Sequence, residues 1–285
     1  MASEYQGRIH HLQKELMGRY FAELTRVAET GEGKAAWMLI SGNPVELVRA
    51  FGFHPVYPEV NALQLAVKKQ SLPMIQKAEE MGYSIDNCAY VKADIGLYFS
   101  GGKTSFGTIP KPDLVLCNYV GCGVYLQWFE HLKEYTGAPT FNLDIPAIRT
   151  PSGEPSQDDI RYVVKQLEEL ILLCERITGQ PLDEARLRQI LTWSKETGDL
   201  WSEIKGLTKT APSPFDAYFD ATTMMGPLYC LRGTEEGVTF FREAHREIAE
   251  RVRQGVGPLP EERFRIVMEG PPPWPYLRVF RDLFS

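Results

Sequence analysis

The chain has 285 residues and a formal net charge of −6 at pH 7, and 44% of its residues are hydrophobic. A chain of this length and composition can bury one large core or two modest ones. Its acidic and basic residues are interspersed, so it lacks the basic surface that nucleic-acid binding requires. Its five cysteines are odd in number and irregularly spaced, which argues against a disulfide framework.

The first residues of the chain contain no apolar segment typical of a signal peptide. No apolar run reaches the roughly 18 residues that a membrane-spanning helix needs. We therefore expect a cytoplasmic protein without membrane contact, in a reducing compartment where thiols persist.

Strands and helices alternate through the first 150 residues. The predicted elements are a helix at 4–30, strand 35–40, helix 45–51, extended segment 54–59, helix 61–81, strand 112–117, a helix from 124 and strand 139–143. This alternation predicts an α/β fold with a parallel sheet and flanking helices. After the first strand, Asn43 suits a helix N-cap and Pro44 a first helical position.

The second half of the chain is predicted to be mainly helical. A linker rich in Pro, Ser and Gly is predicted at 150–157. Three helices follow, at 157–178, 182–204 and 235–254. A strand at 263–270, a stiff loop at 271–275 and a helix from 277 complete the chain. We therefore predict an N-terminal α/β domain at 1–150, a helical segment at 151–260 and the start of a second α/β domain at 261–285.

Three cysteines, Cys88, Cys117 and Cys122, fall within residues 84–130. Cys122 lies where a predicted strand turns into a helix, at the edge of the sheet where ligands of open α/β folds collect. A helix N-terminus also favours thiolate over thiol. However, a C-x4-C spacing is weak evidence for metal, and cysteines are often packed as small hydrophobes. Cys174 keeps the apolar period of its helix, so we predict core packing for it and also a structural role for Cys230.

Several segments carry a resemblance to a known family. Among them are Asn87–Gly96 with the pattern CxYVKADIG, Pro58–Gln64, Gly121-Cys122 before Trp128–Glu130, Tyr162–Leu167, Pro212–Phe219, Arg232–Thr234 and Val267–Pro272. In this order they resemble the benzoyl-CoA reductase and 2-hydroxyacyl-CoA dehydratase family, in particular the B-type subunit of ATP-dependent benzoyl-CoA reductases. The resemblance covers nearly the whole chain.

The resemblance implies a [4Fe-4S] cluster held by three cysteines, with one iron left open. It implies that Cys88 and Cys122 are two of the ligands. The third cysteine of the family lies in a second α/β domain beyond residue 285, so we expect that the chain is truncated or that the missing part is supplied otherwise. Cys117 is expected to pack in its strand, although it could substitute for the third ligand.

Glu59 and Ser41 are the candidate catalytic residues. Both follow short strands, and the resemblance implies a serine and a glutamate near the acyl group in dehydratases of the family. A buried glutamate of this kind can relay a proton. Ser41 departs from the reductase pattern, where a proline is expected. The alternative role for Glu59 is that of an acidic residue stabilised by the helix dipole.

Gly101-Gly102-Lys103-Thr104 resembles the end of a phosphate-binding loop, but the motif fails. Leu97 stands where the first glycine is required, Gly96 is one residue out of register, and no strand precedes the loop. We therefore expect no ATP site here. By resemblance, ATP hydrolysis belongs to separate activator subunits.

The resemblance favours an iron–sulfur catalytic subunit of an ATP-driven reductase that dearomatises benzoyl-CoA or a similar aromatic acyl-CoA. Its implied partners are a homologous C-type catalytic subunit, ATP-hydrolysing activator subunits and the aromatic acyl-CoA substrate. Two alternatives remain open. One is a radical 2-hydroxyacyl-CoA dehydratase subunit with the same fold and cluster. The other is a cluster-free scaffold subunit.

Overall fold

The computed structural model of the chain describes residues 7–118, 120–148, 150, 152–259, 261–267, 269–270 and 272–284. The strands are β1 Lys34–Met38, β2 Phe53–Val56, β3 Lys103–Thr104, β4 Gly107–Thr108, β5 Leu114–Cys117 and β6 Thr140–Asn142. The helices are α1 Arg8–Thr30, α2 Val45–Ala50, α3 Pro58–Val67, α4 Ser71–Glu80, α5 Ala89–Phe99, α6 Val124–Thr136, α7 Gln157–Thr178, α8 Glu184–Leu207, α9 Ala217–Phe219, α10 Met225–Cys230, α11 Glu235–Gln254 and α12 Leu277–Phe284. A π-helical turn at Asp220–Met224 joins α9 to α10, and a 3-10 turn at Trp274–Tyr276 leads into α12.

Four parallel strands form a sheet in the order β2-β1-β5-β6. All four residues of β5 are buried, and β1 is buried from its second residue, as expected for parallel strands covered on both faces. From β1 the chain moves to β2 on one side and later to β5 on the other. The strand order therefore reverses between β1 and β5, which is where open α/β sheets form their ligand crevice. The predicted parallel sheet with flanking helices is confirmed.

The chain forms two compact units, each discontinuous in sequence. One contains the sheet and comprises Ala22–Leu65 and Ser71–Leu187. The other is helical and comprises the chain up to Phe21, Ala66–Gln70 and the chain from Arg188 onward. The predicted division at residues 150 and 260 stays a prediction.

The core of the helical unit is built from apolar side chains of α1, α8 and α11 and of the turns between them. Its buried members are Ile9, Leu16, Ile204, Phe215, Phe219, Met224, Leu231, Phe240, Phe241, Ala244 and Ile248. Arg251 is also buried there. It forms an ion pair with Glu247 at 2.6 Å and lies over the ring of Phe219, so its charge is balanced where water is excluded.

The helix predicted at 61–81 is wrong, because two helices, α3 and α4, occupy this segment. The break falls at Lys69, whose φ of 57° is incompatible with a right-handed helix. Pro73 then lies in the first turn of α4, where the missing N–H of proline removes no helical hydrogen bond.

The strand predicted at 263–270 is also wrong within the described residues. Neither 261–267 nor 269–270 contains a strand, and Met268 lies outside the described residues. Phe264 and Val267 are 83% and 94% exposed. An extended apolar segment becomes a strand only when a neighbouring strand pairs with its backbone groups. Helix α12 begins at Leu277 as predicted.

The linker before α7 ends in a capping box. The Ser156 hydroxyl accepts a hydrogen bond from the backbone N–H of Asp159, and the Asp159 carboxylate accepts one from the backbone N–H of Ser156. Gly179, with a φ of 70°, ends the helix in the left-handed conformation that favours glycine. Cys174 on α7 is fully buried, as is Cys230 on α10, so their predicted packing roles are confirmed. None of the helices in the described residues is long and apolar enough to span a membrane.

Candidate functional site at the carboxyl edge of the sheet

The two loops that flank the sheet crevice are joined by a pair of asparagine side chains. Asn118, fully buried after β5, donates to the Ser41 carbonyl at 2.8 Å and to the Asn43 side-chain oxygen at 3.0 Å. Asn43 in turn donates to the Leu39 and Leu116 carbonyls. These bonds tie the loop after β1 to the loop after β5, where the site residues lie.

Asn43 therefore does not act as the predicted N-cap. Pro44 stands at the N-cap position of α2, and no side chain caps the helix. The Asn43 amide instead bonds to the backbone at the ends of β1 and β5, and these contacts direct it away from the helix. A capping prediction from local sequence could not include partners that lie more than 70 residues away.

Glu59 is the most enclosed of the predicted site residues. It lies in the first turn of α3 and is 7% exposed. One carboxylate oxygen accepts the backbone N–H of Ile40 at 2.7 Å, and the other accepts the hydroxyl of Tyr125, also at 2.7 Å. Burial raises the pKa of Glu59, and the two hydrogen bonds oppose that rise. The carboxyl is therefore held in place by two donors in a site that resists its charge.

Tyr125 bonds the glutamate and lies within electrostatic range of the two candidate cysteine ligands. The pKa of its hydroxyl is raised, first by burial, then by the hydrogen bond and charge of Glu59, and further by the charges of Cys122 and Cys88. Both thiols therefore lie within electrostatic range of this hydroxyl. Sequence reasoning missed Tyr125. Its position in the first turn of a helix, directly after Gly121-Cys122-Gly123, was the sequence feature that could have indicated a role for Tyr125 in the site.

The two candidate ligands stand at the start of two helices. Cys88 is the N-cap residue of α5 and is exposed. Cys122 is half-buried, two residues before α6, and its carbonyl accepts the N–H of Tyr125 at 3.1 Å. The structure thus places both thiols near the hydroxyl that bonds Glu59, although they are 34 residues apart in the sequence.

Ser41 lies beside this group without joining it. The N–H of the preceding residue, Ile40, is the one that Glu59 accepts. The Ser41 side chain is exposed, and its carbonyl is held by Asn118. The structure therefore brings Ser41 to the same edge of the sheet as Glu59 and leaves its hydroxyl facing solvent.

Cys117 packs inside β5. It is fully buried, its thiol donates to the Asn118 carbonyl at 3.3 Å, and burial raises its pKa to about 12. A thiol that resists ionisation is a poor metal ligand, because the thiolate is the form that binds. These properties favour packing over the alternative of a third ligand.

Among the residues that the structure describes, no group of three or more His, Cys, Asp or Glu side chains is placed to hold a metal ion. The segment Gly101–Thr104 consists of a turn after α5 and the strand β3, and the next element is the strand β4. It therefore lacks the helix N-terminus on which a phosphate-binding loop depends.

Comparison with known proteins assigns the chain to a family. The family model described as "2-hydroxyglutaryl-CoA dehydratase, D-component" matches residues 41–285. The chain belongs to this family. The 2-hydroxyglutaryl-CoA dehydratase D-component match includes the loop after β1, Glu59, Tyr125 and both candidate ligands, so it covers the complete group described above.

Individual relatives in the family are subunits of acyl-CoA enzymes. The chain is 38% identical over 281 residues to the B-type subunit of benzoyl-CoA reductase from Thauera aromatica, an alignment that covers 95% of this chain and 64% of the relative. It is 33% identical over 270 residues to the (R)-2-hydroxyisocaproyl-CoA dehydratase alpha subunit of Clostridioides difficile, with 92% and 64% coverage. It is 33% identical to the (R)-phenyllactyl-CoA dehydratase alpha subunit of Clostridium sporogenes, with 94% and 65% coverage. The chain thus spans slightly less than two thirds of the length of these relatives.

Proposed function

We propose that the chain is an iron–sulfur subunit of an ATP-driven reductase that dearomatises benzoyl-CoA or a similar aromatic acyl-CoA. The observation that carries this proposal is the hydrogen bond from Tyr125 to Glu59, with both candidate thiols within electrostatic range of the Tyr125 hydroxyl. The similarity to the B-type subunit of benzoyl-CoA reductase, over 95% of the chain, supports the choice of substrate class.

Cys88 and Cys122 fit two ligand positions of a [4Fe-4S] cluster. Both thiols are accessible, and both stand at helix N-termini, whose free N–H groups favour negative charge. The other three cysteines are buried, so they do not supply an accessible third ligand. When bound, such a cluster supplies single electrons and an open iron that acts as a Lewis acid.

Residues of this chain would donate the protons that ring reduction consumes. Glu59 is buried and its pKa is raised, so it keeps its proton to higher pH than an exposed glutamate does. Tyr125 bonds the Glu59 carboxyl on the side where the two thiols lie. Two electrons added to an aromatic ring require two protons, and Glu59 would supply them from inside a closed pocket.

The partners follow from the same proposal. Low-potential electrons would come from separate subunits that hydrolyse ATP, and a homologous C-type subunit would complete the catalytic complex. The relatives are themselves named as subunits, which supports a hetero-oligomer. The lack of a phosphate-binding loop in the described Gly101–Thr104 segment is consistent with an ATP site elsewhere.

A second candidate is a subunit of a radical 2-hydroxyacyl-CoA dehydratase. The family model and the relatives from Clostridioides difficile and Clostridium sporogenes favour it. The two functions differ in electron demand, because ring reduction consumes two electrons per turnover whereas dehydration needs only catalytic amounts. Loss of benzoyl-CoA in proportion to reductant would support the reductase, and loss of a 2-hydroxyacyl-CoA with trace reductant would support the dehydratase.

We expect the full-length protein, purified without oxygen with its partner subunit, to contain about four iron and four sulfide per cluster site of this chain. Cys88→Ser and Cys122→Ser should each remove most of that iron, because each variant removes a ligand. The measurement is iron and acid-labile sulfide per chain. Cys174→Ala is the control, since it removes a buried thiol that is remote from Tyr125 in the sequence and packs in α7.

Equal iron in the Cys88→Ser, Cys122→Ser and unsubstituted proteins would contradict this ligand assignment. Iron near zero in the unsubstituted complex would overturn the cluster itself and favour the cluster-free scaffold subunit. Equal loss in Cys174→Ala would mean that impaired folding, and not a missing ligand, removes the iron.

A further inference from the structure

A cavity lined partly by α5 lies within the sheet-containing unit. It has a volume of about 310 Å³ and is partly open to solvent. Its walls are mainly apolar and come from β1, α5 and the segment before β5; they include Trp37, Leu97, Tyr98, Phe99, Ile109 and Pro110. Asn61 and Asp94 also line it. We call this cavity the α5 cleft.

The two polar side chains of the α5 cleft are almost fully buried and incompletely bonded. Asp94 and Asn61 are each 1% exposed. Trp128 donates its indole N–H to one carboxylate oxygen of Asp94 at 3.1 Å. Within the described residues, the other oxygen of Asp94 and the amide nitrogen of Asn61 have no hydrogen-bond partner. Buried polar atoms of this kind are normally satisfied. Since both residues line the α5 cleft, a polar molecule in the cleft can bond to them.

Water fits this position. It donates to the Asp94 oxygen and accepts from the Asn61 amide, which are the two bonds that are missing. The Asn61 amide lowers the pKa of Asp94, which favours the ionised carboxylate. The amide nitrogen nevertheless lies outside hydrogen-bonding geometry with the Asp94 carboxylate. A bridging water would complete both groups without any change in the protein.

The α5 cleft extends to Gly101 and Gly102 after the C-terminal end of α5, and to Lys111 before the amino end of β5. The candidate site lies instead beyond the carboxyl ends of β1 and β5. Cys88 lies at the other end of α5, about 16 Å away at 1.5 Å per residue. Asp94 stands midway between them. Asp94 accepts the indole N–H of Trp128, and Glu59 accepts the hydroxyl of Tyr125. Trp128 and Tyr125 lie three residues apart on α6, so the two carboxyls bond neighbouring positions of one helix face.

We propose that the α5 cleft is a proton-uptake route, in which Asp94 and Asn61 hold a water and Asp94 passes protons from solvent to Glu59. This inference rests on the proposed function for the final use of the proton. When Glu59 gives its proton to the substrate, the O–H bond of protonated Asp94 breaks. Water in the cleft accepts that proton and releases one of its own, so one water O–H bond breaks as a new O–H bond forms on Glu59. Solvent water then reprotonates Asp94 through the cleft.

The surroundings of Asp94 suit this relay. Glu59 on α3 is the charged group that acts on Asp94 within the described residues, Lys111 lines the same cleft, and the neighbours Asn61 and Trp128 are neutral. Burial raises the pKa of Asp94 to about 7, so it can gain and lose a proton at neutral pH. The route would also let protons reach Glu59 without opening the substrate side to water.

The first test needs no enzymatic activity. In the full-length protein, the indole N–H resonance of Trp128 should shift with pH, with a midpoint near 7, because its acceptor titrates. In Asp94→Asn the shift should disappear, and in the exposed control Asp158→Asn it should remain. The Trp128 N–H should also exchange with deuterated water far faster than global unfolding allows. No titration between pH 5 and 9, or exchange at the global rate, would overturn the proposal.

The second test uses the assembled complex and its acyl-CoA turnover. Asp94→Asn should lower kcat by about 100-fold and leave KM within about twofold, because Asp94 is a positioning residue remote from the substrate. The pH profile should lose its limb near 7. Formate should raise the turnover rate of Asp94→Ala at least about tenfold, since a small carboxylic acid can enter the cleft. Formate should not raise the turnover rate of Glu59→Gln.

Full turnover of Asp94→Asn, or no rescue of Asp94→Ala by formate, would contradict the relay. A complex without acyl-CoA turnover before any substitution would contradict only the proposed function. The Trp128 titration and exchange would then still decide whether the cleft brings water to Asp94.

Discussion

Replacing Asp94 by asparagine is expected to raise the free energy of unfolding by about 4 kcal/mol at pH 8 and by far less at pH 4. Burial raises the pKa of Asp94 from 3.8 to about 7 in the folded chain. The folded state therefore binds the proton more tightly than the unfolded state, and the stabilisation by this proton is complete below pH 3.8. It is lost as the pH rises toward 7, at 1.36 kcal/mol per pH unit.

The measurement is urea unfolding of the unsubstituted chain and of Asp94→Asn between pH 4 and pH 8. Asparagine keeps the size of the side chain and can still accept the indole N–H of Trp128, so the variant isolates the charge. Asp158→Asn, an exposed change on α7, should run parallel to the unsubstituted chain. Parallel curves for Asp94→Asn would show that Asp94 stays ionised without cost. A stability gain combined with slower turnover would fit a residue that serves function at the expense of stability.

Lys92→Met is expected to lower the free energy of unfolding by about 3 kcal/mol. The Lys92 ammonium is buried, and it bonds the Glu79 carboxylate and the Ile85 carbonyl, both at 2.7 Å. Methionine fills similar space but leaves both acceptors without this donor, and breaking a buried ion pair costs about 3–5 kcal/mol. We expect the lower end of this range of unfolding free energy, because the Glu79 side chain is partly exposed.

Lys77→Met is the matched control for this prediction. Lys77 lies on α4 and donates to the Phe99 carbonyl at 2.8 Å from an exposed position, so its replacement should cost under about 1 kcal/mol. A double-mutant cycle with Glu79→Gln would measure the coupling of the pair. Equal effects of the two lysine variants would contradict a special role for Lys92. Because Ile85 lies shortly before Cys88 in the same loop, Lys92→Met should also loosen the candidate ligand.

The alternation of strands and helices, and most of the long helices, could be predicted from the sequence. The helices at 157–178 and 235–254 agree with the structure at both ends, because their caps and apolar periods are local features. Two features could not be predicted: the division of one predicted helix into α3 and α4 near Lys69, and the absence of a strand in the described part of residues 263–270. The first depends on a single left-handed residue, and the second depends on whether another strand is present to pair with the segment.

Prediction of the candidate site was also partial. Glu59, Ser41, Cys88 and Cys122 were found from their positions after strands and from family resemblance, and their roles stay proposals. Tyr125 and Asp94 were missed. Asp94 gave one signal, since it and Lys92 are the charged residues of α5, an otherwise apolar helix. That pattern indicates buried charge, but it does not show which partners the charges meet.

Sequence patterns were sufficient to predict the fold class of the sheet, and family motifs were sufficient to predict the family and to select Cys88 and Cys122 as candidate ligands. These properties depend on apolar periodicity, turn residues and motifs, which are properties of neighbouring residues. Folding in three dimensions was needed to bring Tyr125 to Glu59 within range of two thiols, and to bury Asp94 and Asn61 with one unpartnered atom each. Hydrogen bonding and desolvation depend on which atoms meet in space, and residues 34 or 66 positions apart meet only after the chain has folded.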